Sequence, residues 1–158
     1  MYEFVTRNAD SIFFPSSYIN APYLLREIDN LVAINMDLEA DFMGQLNSER
    51  IDFRLIGAVG GQLDFVIGAR WSKGGRAINV LPSTRTIKSG EVVSTIVPKL
   101  STGAHVAVPH MYSQYIVTEY GIADLFYKSM RERADALISI AHPDFRVELR
   151  KEAKRILY

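Results

Sequence analysis

No cysteine occurs in these 158 residues, which excludes disulfides, thiolate metal sites and cysteine nucleophiles together. The same absence is compatible with a reducing compartment, and we expect a cytoplasmic location. Charge of one sign is also lacking. Eighteen Lys and Arg against eighteen Asp and Glu leave a net charge of +0, so bulk attraction to nucleic acid or to a membrane surface is not available. An anionic ligand must instead be held by a local site. No window approaches the roughly 18 apolar residues of a membrane span. The opening Met1-Tyr2-Glu3-Phe4-Val5 has no basic leader before an apolar run, so no signal peptide is expected. It begins inside apparent structure, as an excised domain would.

What is present is the balance of a globular protein, 48% hydrophobic and 23% charged, enough to bury the core of one domain spanning 1–158. Leu31-Val32-Ala33-Ile34-Asn35 suits a buried strand, and Leu38 to Met43 shows the alternation of a half-buried one. Further strands are expected at 77–81, 92–97, 105–108 and 115–118, most of them ending at Pro or Gly. Leu63 to Trp71 could open a helix. Ser129 and Glu132 have capping-box spacing ahead of an apolar face at Ala134, Leu137, Ile138 and Ala141. Pro143 stops that helix. A second, from Asp144 to about Leu157, places Phe145, Leu149 and Ile156 inward. Strands interleaved with helices predict an α/β layer structure.

Four places could carry chemistry. Glycines cluster in Gly57-Ala58-Val59-Gly60-Gly61-Gln62 just before a helix, where backbone N–H groups favour an anion or a developing oxyanion. A tight turn without a ligand is the alternative. Lys73, in Ser72-Lys73-Gly74-Gly75, suits a phosphate contact or a solvated turn. Neither loop has Walker A order or the dinucleotide three-glycine spacing. Glu119 follows an apolar strand, where open α/β sheets place active groups; a buried ion pair with an arginine is its other reading. Asn20 precedes a helical stretch and reads as a helix cap. Glu39 and Asp41 are either paired carboxylates or solvated ones. His142-Pro143-Asp144-Phe145-Arg146 reads as a helix junction. His105, His110 and His142 lack metal-ligand spacing, and no metal site is expected.

Five segments then occur in order: Gly60-Gly61-Gln62-Leu63-Asp64-Phe65, Ser72 to Gly75, Val117 to Leu125, Arg131-Glu132-Arg133-Ala134, and His142 to Arg146. Together with Ile34-Asn35 through Glu39, and with Gly44, the pattern resembles the carboxy-terminal domain of acetyl-CoA hydrolase/transferases. That is the family of 4-hydroxybutyrate, butyrate and succinate:acetate CoA-transferases. The resemblance implies a CoA-transferase-like layered domain with a mixed, mainly parallel sheet flanked by helices. It implies acyl-CoA and a small carboxylic acid as substrates, no permanently bound cofactor, and a homo-oligomer in the full-length protein. It also implies a glutamate nucleophile in an amino-terminal half outside this chain, so that the chain alone is inactive. By the same resemblance Gly61 offers its N–H to the thioester oxyanion, Gly57 and Gly60 lie against CoA, and Lys73 approaches its anionic part. Glu119 and Asn20 line the acyl and glutamate pocket. His110-Met111-Tyr112 stands where several relatives have Arg-Asn-Asp, a departure that bears on acyl specificity. An acyl-CoA hydrolase, a non-catalytic CoA-binding module and a nucleotide-binding regulatory domain are the competing readings.

Overall fold

The computed structural model describes residues 2–51 and 53–157. Its elements in chain order begin with α1 (Tyr2–Val5), α2 (Ser16–Ile19), α3 (Pro22–Leu25), β1 (Val32–Met36), β2 (Glu39–Asp41) and β3 (Leu46–Asn47). There follow β4 (Arg50–Ile51), β5 (Arg54–Leu55), α4 (Gln62–Trp71), β6 (Arg76–Val80), β7 (Thr84–Thr86), β8 (Val92–Ser94) and β9 (Ile96–Val97). The chain ends in β10 (Tyr115–Thr118), β11 (Gly121–Asp124), α5 (Met130–Ile140) and α6 (Pro143–Leu157).

The principal sheet has the order β1-β6-β10-β11. β1 and β10 run parallel to β6, with Ile34 opposite Ile78 and Tyr115 opposite Ile78 on its other side, while β11 returns antiparallel to β10. The sheet is therefore mixed and mainly parallel, as expected. Alternation along each strand sends Ala33, Ala77, Ile116 and Ala123 into one core shared with Val66 and Ala69 of α4 and with Ala134 and Leu137 of α5. Small alanines on the strands let both helices approach closely. A second sheet, β3-β2-β9, follows the carboxyl end of β1 and buries Ala40, Leu46 and Ile96.

Helix termini follow local chemistry. The Ser129 side chain accepts from the Glu132 N–H while the Glu132 carboxylate accepts from Ser129, the reciprocal box that starts α5. α5 ends at Ile140, and Pro143 opens α6, where its missing N–H costs nothing. In α4, Asp64 sits in the first turn and Arg70 in the last, complementing the helix dipole.

Several expectations are corrected. The Leu31–Asn35 run is buried on one side only, since Val32, Ile34 and Met36 face outward. Glu39 and Asp41 are both buried rather than solvated, because β2 lies inside the second sheet. Glu39 is met there by Arg85 at 2.8 Å and by Ser101 Oγ at 2.7 Å, and Asp41 accepts from the Met43 and Gln45 N–H groups. The 92–97 strand breaks at Thr95, whose N–H turns to the Ser83 carbonyl. Residues 105–108 form only a bridge, Leu46 to Val108, ahead of Pro109. Finally, Ile156 is 49% exposed. The inner stripe of α6 follows four-residue spacing through Phe145, Leu149, Ala153 and Leu157.

Candidate active site

Three parallel strands end on one edge, and the polar groups gather there. Asp37 follows β1, Ser83 follows β6, and Glu119 follows β10. α4 begins at the same edge. The Gln62 side chain donates to Asp37 Oδ1 at 2.8 Å, fixing the first turn of α4 to the end of β1. Asn79 Nδ2 donates to the other Asp37 oxygen at 2.8 Å. Burial pushes the Asp37 carboxyl from its ordinary 3.8 up to about 6, although both amides pull it the other way.

Gly61 is the N-cap of α4, with φ −81 and ψ 8, so its need for glycine is not conformational. It is spatial. A Cβ on Gly61 would lie 2.4 Å from Asn20 Nδ2 and 3.5 Å from Phe65 Cδ2. The Gly61 carbonyl accepts from the Phe65 N–H at 3.0 Å. Its own N–H has no acceptor among the described residues. It belongs to the set of amides that a helix start leaves free. Asn20 does not cap the helix that follows it, which Ala21 and Pro22 open; it ends α2 and turns its amide toward Gly61. Asn20 and Gly61, 41 residues apart, are thus in contact.

Glu119 is exposed and, among the described residues, has no arginine partner. Ser83 holds it, through Oγ at 2.5 Å and the backbone N–H at 2.9 Å. The Ser83 hydroxyl is the main reason its carboxyl lies below the usual range, and nearby His142 adds the least. The buried ion pair is replaced by an exposed, hydrogen-bonded carboxylate on the same sheet edge as Gly61. β1 and β10 flank β6, which puts their ends roughly 10 Å apart.

The other two glycines and Lys73 are placed differently. Gly60 is exposed, and a Cβ there would meet nothing within 4 Å. Gly57 donates its N–H to the Glu49 carbonyl at 3.0 Å, so that amide is engaged within the fold. Lys73 lies past the far end of α4, in a turn where Gly74 has φ +74. The ten residues of α4 separate it from Gly61 by roughly 15 Å. Lys73 rims an open cleft of ≈ 590 Å³ with Arg26, Glu27, Asp29 and Trp71. A second cleft, ≈ 820 Å³ and lined by Glu39, Arg54, Arg85 and Lys99, also lies away from Gly61.

Two residues of this edge, Asn79 and Ser83, escape a reading of the sequence by motif, and Asp37 lies within the Ile34 to Glu39 segment without being singled out as a site residue. Asp37 alone leaves a signal, a charge directly after an apolar strand. Arg133 stands in one of the five segments, but its role shows only in the fold. Buried, it donates to the carbonyls of Met43, Leu125 and His110 and to Ser113 Oγ. With Arg70, which donates to the Met111 carbonyl, it pins the departing segment His110-Met111-Tyr112. Among the described residues no group of three His, Asp or Glu is placed to hold a metal, and no helix is long and apolar enough to cross a membrane.

Free helix-start amides beside polar groups on the carboxyl edge of parallel strands define an α/β domain suited to hold an acyl oxygen or another anion. The chain belongs to the acetyl-CoA hydrolase/transferase family: residues 1–153 match its carboxy-terminal domain. It is 46% identical over 155 residues to the 4-hydroxybutyrate coenzyme A transferase of Clostridium kluyveri, covering 98% of this chain and 35% of that protein. Among solved structures, RipA from Yersinia pestis superposes with a TM-score of 0.85 at 42% identity, over 98% of this chain and 34% of that one. The 4-hydroxybutyrate CoA-transferase of Porphyromonas gingivalis does so with a TM-score of 0.73 at 42% identity, again over 98% and 34%. The chain spans about a third of the length of these relatives.

Proposed function

We propose that this chain forms the carboxy-terminal wall of the active site in an acyl-CoA:carboxylate CoA-transferase. The observation that carries the reading is the Gly61 N–H, unpaired at the start of α4 and walled by Asn20 where a side chain would otherwise stand. In the proposed reaction a glutamate from the rest of the enzyme attacks the acyl-CoA carbonyl. The carbonyl π electrons move to oxygen, and the Gly61 N–H donates to that oxyanion. Loss of such a donor costs about 3 kcal/mol, or 10²–10³ in rate. Collapse expels the CoA thiolate and leaves an acyl-glutamyl anhydride. The thiolate then attacks the glutamyl carbonyl, releasing the first carboxylate and forming glutamyl-CoA, and the incoming carboxylate reverses both steps.

Glu119 and the Asn20 amide line the acyl and glutamate pocket in this reading. Lys73 serves the anionic end of CoA, a long molecule whose two ends would lie at opposite ends of α4. This chain alone, without the attacking glutamate, turns over no substrate. The test is an assay of the full-length enzyme with acyl-CoA, with and without acetate. Acceptor-dependent appearance of acetyl-CoA supports the transferase. Release of free CoA at an undiminished rate without any acceptor would make it a hydrolase.

A further inference from the structure

Gly61 caps α4 without a side chain, so the turn beside its N–H has no capping hydrogen bond of the usual kind. The tie comes one residue later. Gln62, the first residue of α4, donates from Nε2 to Asp37 Oδ1 at 2.8 Å, across 25 positions of sequence. Asp37 is itself fixed from the strand side at two points. Its N–H donates to the Val80 carbonyl at 2.9 Å, and its Oδ2 accepts from Asn79 Nδ2 at 2.8 Å. Asp37 is 4% exposed and Asn79 0%. Asn79, Asp37 and Gln62 thus form a chain of hydrogen bonds from β6 to the residue that follows Gly61. Burying a carboxyl is costly, and the packing of α4 does not call for one. Val66 and Ala69 already seat the helix on the core, but they lie beyond its first turn and leave the direction of that turn open.

We propose that Asp37 is a positioning residue for acyl transfer: by holding Gln62 it aims the Gly61 N–H at the oxyanion. The inference rests on the reading of Gly61 given under the proposed function. Asp37 is too deeply buried to touch substrate, so it acts through the helix start alone. An oxyanion donor works only when it is aimed in advance at the charge that develops. A misplacement of about 1 Å costs about a hundredfold in rate. Because the oxyanion exists only along the reaction, loosening the anchor lowers kcat and leaves the affinity for acyl-CoA in place.

Two substitutions remove the anchor from opposite sides. Asp37→Ala deletes the acceptor, and Gln62→Ala deletes the donor at a half-buried position that the fold tolerates more easily. Asp37→Asn keeps an acceptor oxygen. In the full-length enzyme either alanine should lower kcat about tenfold or more, with KM for acyl-CoA within about twofold of the parent. The double variant should be no slower than the slower single one, since both break one bond. Asp37→Asn should stay within about threefold of the parent. Hydrogen exchange gives a readout free of catalysis. The Phe65 N–H, which donates to the Gly61 carbonyl at 3.0 Å, should exchange about tenfold faster or more in the alanine variants and at the parent's rate in Asp37→Asn. Parent kcat in the alanine variants, in an enzyme that Gly61→Val inactivates, would overturn the proposal. Losses that multiply in the double variant would overturn it too. If Gly61→Val also turns over at the parent's rate, the oxyanion reading fails, and faster Phe65 exchange would then show the anchor intact without it. Unchanged Phe65 exchange in both alanine variants would overturn the anchor itself.

Discussion

Replacing Asp37 by asparagine should stabilise the chain more at neutral pH than in acid. The carboxyl is buried between the Gln62 and Asn79 amides, and burial raises its pKa from 3.8 to about 6. The folded protein therefore binds this proton more tightly than the unfolded chain does. The stability it contributes is complete below the unfolded pKa and is lost as the pH rises through about 6. Two pKa units are worth about 3 kcal/mol, of which roughly 2–3 kcal/mol falls between pH 4 and pH 7.5. The asparagine variant is neutral throughout. Its carbonyl can accept from Gln62, and its NH₂ can donate to Asn79 Oδ1, a buried acceptor without a partner. That last bond needs only a turn of the Asn79 amide. Thermal unfolding of parent and variant, compared at each pH, cancels the other titrating groups, such as Asp41, which burial also raises. The melting-temperature difference should move in the variant's favour by about 5–10 °C between pH 4 and pH 7.5. A difference that is the same at both pH values would refute the reasoning, because Asp37 would then not be holding a proton in acid.

Gly44→Ala should cost about 3 kcal/mol. Gly44 has φ +84, and the new methyl would lie 2.6 Å from Arg133 Nη2 and 2.7 Å from Leu125 Cδ1. Denaturant unfolding with an unchanged midpoint would contradict that. Glu119→Gln should leave the melting temperature of the chain within about 2 °C, since the site is exposed and Ser83 can bond either group. In the full-length enzyme the same change should lower turnover about tenfold or more. Wild-type turnover would remove Glu119 from the site.

The order of strands and helices was legible because the residues that form them are locally unambiguous. β10 is a short β-branched run, β6 carries Ala77, Ile78 and Val80 just ahead of Pro82, and α5 carries its capping box and apolar face in sequence. What was not legible depends on pairing at a distance. Glu39 alternates like a solvent-facing residue, and its burial is made tolerable by Arg85 and Ser101, 46 and 62 residues further on, with the Asn47 amide as a longer contact. Ile34 looks like a core residue, yet the helices that sequence pattern reveals all pack on the other face. Within the site, the glycine cluster marked the start of α4, but its contact with Asn20 needed the fold. Asn79 and Ser83 act through hydrogen bonds to Asp37 and Glu119, and nothing in their own neighbourhoods announces it. The expected burial of Ile156 failed because the inner stripe of α6 keeps to four-residue spacing and takes Ala153 and Leu157 instead.

The proposed acyl transfer turns on one backbone amide, and a valine at that position probes it most directly. Gly61→Val would push the Asn20 amide aside and crowd the space in front of the N–H, while the negative φ there does not demand glycine. Steady-state acyl transfer by the full-length variant should fall by 10²–10³ in kcat, with a melting temperature within about 4 °C of the parent. Turnover at the parent's rate in a folded Gly61→Val enzyme would contradict the assignment of Gly61 to the oxyanion.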